Sequence, residues 1–316
     1  MRGKGINYDT GAQFPRQWTR NNFDSETARR ELAVIANELH CTAVRISGSD
    51  PTRLAIAAEH AAALGLEVWF SPFPCELTTE QLLGLFEECA ARAEDIRQTG
   101  TDVRFIAGGE LSIFAKGFLP GDDLSERTAA IRESHSAVPP RLNAFLKEAV
   151  DVVRGKFGGP VTYASLPFEQ VDWTLFDYVA SDAYRAAHNA AAFRDEIRAL
   201  QRHGLPVVIT EFGCCTYRGA SADGGRGWMI VDRDMWTVNG DYTRDEEEQA
   251  TYFRELVQIF DEEAVDTAFW FTYAGYNYSQ HLDIASYGVI NLGPGNTWQP
   301  KSVFHAMSTT YSAMEL

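Results

Sequence analysis

LPVVITEFG, residues 205–213, sets a β-branched run (Val207, Val208, Ile209, Thr210) directly against a glutamate, Glu211. A short, continuously apolar run of this kind reads as a strand buried on both faces, the form a strand takes in a parallel sheet covered by crossover helices. A carboxylate at its end is held at the rim of the core instead of moving freely in solvent. RFIAGGEL, residues 104–111, has the same form and ends on Glu110.

Outward from these two segments the chain repeats the pattern. Runs at 5–8, 43–47, 67–71, 102–107, 161–164, 178–181, 206–210 and 267–272 alternate with amphipathic stretches at 25–39, 51–64, 79–101, 123–134, 141–157, 190–203, 243–263 and 300–310. Alternation of strand and helix implies parallel strands with helical crossovers, and eight strands favour a closed sheet over an open one. The expected architecture is a single (β/α)8 TIM barrel over residues 1–316, with extended loops after strands 1, 4, 7 and 8. Pro139 and Pro140 split the fourth connection, and residues 173–176 leave only a short turn for the fifth.

In such a barrel the residues just after each strand form the reaction face. They are Asn7, Tyr8 and Asp9; Arg45 and Ser47; Ser71 to Phe73; Gly108 to Glu110; Ser165; Asp182 and Tyr184; Glu211; and Trp270 to Tyr273. Carboxylates, aromatic rings and one arginine dominate this set, and histidine is absent from it. A metal-dependent hydrolase would need clustered His and Asp at strand ends. The seven histidines fall mostly in expected helices and loops and form no HxH pair, so no metal and no cofactor is expected.

The charge balance narrows the partners. With 28 basic against 44 acidic residues the net charge is −16, which repels phosphate backbones and anionic lipid. Nucleic acid and membrane are therefore not expected as partners, and the absence of an apolar leader or span at the start of the sequence points to the cytoplasm. Five cysteines, with no CxxC pair, suggest neither a disulfide framework nor a zinc site, and adjacent Cys214 and Cys215 read as small residues packing at a strand end, with a redox pair as the alternative. The sequence does not fix the oligomeric state.

KGINY at 4–8, VRIS at 44–47, GGE at 108–110, SDAY at 181–184, ITEFG at 209–213 and FWFTY at 269–273 occur in the order seen in the retaining glycoside hydrolases of the (β/α)8 clan, which this sequence resembles. The resemblance implies a hydrolase acting on an O-glycosidic bond of a small glycoside or oligosaccharide. Glu211 is then the nucleophile and Glu110 the general acid/base, two carboxyls about 5 Å apart in a retaining enzyme. It also implies that Arg45 lies near the nucleophile, that Tyr184 orients Glu211, and that Trp270 forms a platform under the sugar. Tyr8 and Tyr273 join the expected substrate-binding set as strand-end residues. Trp228 and Trp236 join it on the long loop after strand seven, where tryptophan supplies a flat apolar face for a sugar ring. Arg16, Trp18 and Arg20 in loop one, and Tyr276, Tyr278, His281 and Asp283 in loop eight, extend it. One position departs from the clan: Gly109 stands where an asparagine usually grips the sugar 2-hydroxyl. That departure leaves open a second reading, a non-catalytic carbohydrate-binding or regulatory TIM-barrel protein.

Overall fold

A computed structural model describes the chain except residues 16, 233–235, 279–280 and 315–316 and the side chain of Asn296. Eight strands, β1 (Gly3–Asp9), β2 (Ala43–Gly48), β3 (Glu67–Pro72), β4 (Val103–Gly109), β5 (Val161–Ala164), β6 (Val179–Asp182), β7 (Val207–Phe212) and β8 (Thr267–Trp270), form one sheet. Their order is β5-β4-β3-β2-β1-β8-β7-β6. The two ends of that order are joined by a parallel bridge between Ser165 and Ser181. This is the (β/α)8 barrel expected from the pattern of runs.

The strand ends differ from expectation where the site lies. β4 continues to Gly109 and β7 to Phe212, so Glu110 directly follows one strand and Glu211 lies inside the other. β8 stops at Trp270, two residues short of the expected end. The two prolines also take a different part: Pro139 and Pro140 open the helix Val138–Arg154 instead of preceding it. The first turn of a helix leaves its N–H groups unpaired, so residues without that group belong there. The helix Pro51–Ala63 starts similarly, with the Asp50 side chain accepting from Thr52 and Arg53 N–H, and Thr79–Gln98 starts with a reciprocal Thr78/Gln81 box.

The chain's internal contacts resolve two compact units, Met1–Asp9 with Ala33–Val44 and Ala183–Leu316, and Thr10–Leu32 with Arg45–Asp182. In the first, Phe212 and Trp270 pack edge to face and meet Phe253 and Phe260 of the helix Glu246–Glu262. Lys4, buried on β1, donates to the carbonyl of Tyr311 at 2.9 Å and so anchors the C-terminal helix Ser302–Ala313. In the second unit Phe70 and Phe105 stack, and Phe86, Phe145 and Phe157 close around them from the covering helices and the segment that follows. Among the described residues no helix is long and apolar enough to cross a membrane.

Candidate active site

Glu211 is partly exposed at the end of β7, and the Tyr184 hydroxyl donates to its Oε2 at 2.9 Å. The tyrosine is itself wedged. A Cβ on Gly225 would lie 2.9 Å from the Tyr184 ring, and one on Gly224 would lie 2.6 Å from the Arg185 carbonyl, so these glycines let the loop after β7 press onto the 184–185 backbone and ring. Tyr287 meets Tyr184 edge to face and donates to the Gly224 carbonyl at 2.6 Å. Behind β7, the Asn7 carboxamide donates to Thr210 O at 3.0 Å and reaches Phe269 O and Trp270 O at 3.4 Å. The nucleophile candidate is thus fixed at its side chain by Tyr184, while one carboxamide spans the backbone beneath it.

Glu110 sits in the left-handed region, at φ 47° and ψ 36°, and forms the N-cap of the short helix Leu111–Phe114. Its own N–H donates to Ala164 O at 2.9 Å and its carbonyl accepts from Ile113 and Phe114. A carboxylate oxygen of Asp182 lies within 4.8 Å of one of Glu110. Arg45 is fully buried and donates from Nε to Ser71 Oγ at 3.1 Å. Gly109 has no positive φ that would demand glycine. Its missing side chain has a steric cause instead: a Cβ there would meet Arg45 Nη2 at 3.1 Å and the Ala164 Cβ at 3.2 Å. Even the first carbon of an asparagine side chain there would crowd the guanidinium.

Other expected site residues divide sharply. Trp270 is fully buried, donates to Tyr287 O and packs against Phe253 and Tyr252, so it faces the covering helix and offers no platform. Phe271, the first residue past β8, is the partly exposed ring, edge to face with Tyr287. Tyr8 and Tyr273 are likewise fully buried, their rings 6.2 Å apart, and present no surface to a sugar. Trp228, in the turn Gly224–Ile230, and Trp236 are partly exposed. In loop one Trp18 lies under the Arg53 guanidinium and Arg20 pairs with buried Glu31, while Arg16 falls outside the described residues. Asp283 is buried against Lys301 and Arg244, which makes it a tie within the fold rather than a ligand group. Cys214 and Cys215 are buried, and burial pushes both thiols well above their ordinary range, so they are packing residues.

Residues 140–284 match the family model described as Glycoside Hydrolase Family 113. Across 99% of this chain and 100% of the other, the fold is similar to a complex of a GH113 beta-1,4-mannanase, with a TM-score of 0.69 at 15% identity. The chain has the (β/α)8 fold of these glycoside hydrolases. A second glycoside hydrolase barrel, the GH113 beta-mannanase AaManA from Alicyclobacillus acidocaldarius in complex with ManMIm, matches with a TM-score of 0.65 at 18% identity over 99% of this chain and 97% of that one. Saccharomyces cerevisiae Gas2p in complex with laminaritetraose and laminaripentaose gives 0.55 at 14% identity over 100% of this chain and 64% of that one. No curated protein sequence matches the chain.

Proposed function

We propose that the chain, acting as one catalytic domain, hydrolyses β-1,4-mannosidic bonds with retention of configuration. Glu211 attacks the anomeric carbon while Glu110 gives its proton to the departing glycosidic oxygen. Glu110 then takes a proton from water, whose oxygen displaces Glu211 from the sugar. The observation that carries this is the placement of two glutamates at the ends of β4 and β7, one of them held by a tyrosine hydroxyl at 2.9 Å. Tyr184, Phe271, Trp228 and Trp236 supply the aromatic faces, and Arg45 with Asp182 the polar groups beside Glu110.

Support for mannan comes from the family match and from two similar structures described as beta-mannanases. Mannose differs from glucose at C2 alone, and C2 is the position addressed by the residue that Gly109 replaces. The five free, buried cysteines fit a reducing, cytoplasmic setting.

Incubation with 2-deoxy-2-fluoro-β-mannosyl fluoride, followed by mass spectrometry, tests the proposal. The expected result is one covalent label on the peptide containing Glu211, absent in Glu211→Ala. Label from a gluco-configured probe only would refute the mannan assignment. A chain inert toward the whole panel, with no turnover of any glycoside, would leave a non-catalytic carbohydrate-binding barrel.

A further inference from the structure

Glu110 holds a backbone conformation that a side-chain-bearing residue adopts at a cost of about 1–2 kcal/mol, and such strain persists only where the surroundings over-determine it. The surroundings here are two buried side chains. Tyr163, on β5, is wholly buried, and its hydroxyl accepts from the Leu111 N–H at 2.8 Å while donating to Glu169 Oε1 at 2.9 Å. Glu169, also wholly buried, accepts from Ser112 N–H at 3.2 Å on Oε1 and from Leu166 N–H at 2.8 Å on Oε2. The two N–H groups that directly follow Glu110 are therefore both taken, one by the phenol and one by the carboxylate.

We propose that Tyr163 and Glu169 are positioning residues that hold the Glu110 carboxyl in line with the glycosidic oxygen. The inference rests on the acid/base role given to Glu110 above. Three further facts support it. Leu166 N–H ties the same carboxylate to the loop after β5, so the clamp joins the ends of two neighbouring strands. Burial, then the charges of Glu169 and Glu110, push the Tyr163 phenol well above its ordinary range, which keeps its proton on the bond to Glu169. Among the described residues no ion pair reaches Glu169, so its burial is costly, and a turn of four residues far from any site would be capped as well by a hydroxyl or a neutral amide.

Tyr163→Phe removes one oxygen atom and leaves the ring. A misaimed acid harms substrates whose leaving group needs a proton and spares those whose leaving group does not. The comparison is therefore kcat/KM on a manno-oligosaccharide against 2,4-dinitrophenyl β-mannoside. A loss of about tenfold or more on the first and at most about twofold on the second is expected, a part of the 10²–10⁴ that a positioned general acid supplies. Glu169→Gln, whose amide turns a donor toward the Leu166 or Ser112 N–H, should show the same split and gives a second reading if the tyrosine variant folds poorly. Equal losses on both substrates, or no loss, would overturn the inference while leaving the function intact. Wild-type protein inert on both substrates would overturn the acid/base role of Glu110 and this inference with it.

Discussion

Gly109→Asn restores the residue usual in the clan, and the structure says that it will harm this protein. A Cβ at 109 would sit 3.1 Å from Arg45 Nη2 and 3.2 Å from the Ala164 Cβ, both closer than ordinary contact, before the carboxamide is added. Arg45 has little room to give: it is buried, and its Nε is bonded to Ser71 Oγ. Forcing extra atoms into a well-packed place costs about 1–3 kcal/mol. At roughly 2–4 °C per kcal/mol for a large domain, the melting temperature should fall by about 2–12 °C. Calorimetry with a double-mutant cycle against Arg45→Lys measures this, because neighbours that clash give a coupling of about 0.5 kcal/mol or more. Activity should fall alongside stability, since the crowded residue directly precedes Glu110. A Gly109→Asn protein as stable as wild type and more active would refute the reasoning, for it would mean the gap is empty and the asparagine useful.

Phe271→Ala should raise KM with little change in melting temperature, whereas Trp270→Ala should cost about 3–5 kcal/mol of stability; kinetics paired with thermal melts separate the two rings. Native protein should react with none of its five thiols in a DTNB assay within minutes, and denaturant should release all five, since each is buried. Glu94 is held down to about 2, chiefly by Arg97 and by the Gly158 N–H. Its folded value lies below its ordinary 4.5, so its contribution is present above 4.5 and lost as pH falls toward 2. Glu94→Gln should therefore narrow the gap to wild type in acid melts as pH drops through that window. Glu169 has the opposite sign, because burial raises it above 4.5. The stability advantage of wild type over Glu169→Gln should shrink as pH climbs from 4.5.

The eight strands and the ends carrying Glu110 and Glu211 were legible because buried parallel strands are short, apolar and punctuated. Tyr184 on Glu211 was legible only as a possibility, since the bond depends on a loop folding back through Gly224 and Gly225. The resemblance placed the platform at Trp270, but in this chain that ring packs on the covering helix and Phe271, one residue on, is the partly exposed one. Tyr8 and Tyr273 lay at strand ends yet turned into the core against one another. The clamp of Tyr163 and Glu169 had no local signal: its partners lie 52 and 57 residues from the N–H groups they take. Nothing in GGE announces that the third residue, and not only the first, takes a positive φ.

The carboxamide of Asn7 touches carbonyls of β7 and β8 from β1, and this bears on the order in which the protein can become active. During synthesis β1 emerges first, Glu211 about two hundred residues later, and β8 later still. Until β8 has docked, Asn7 lacks two of its three acceptors and the strand carrying Glu211 has no neighbour on that side. The backbone around Glu211 is therefore held by a stitch begun on β1 and tied off by β8. A nascent chain halted before residue 267 carries both glutamates but lacks the strand that flanks the one on β7.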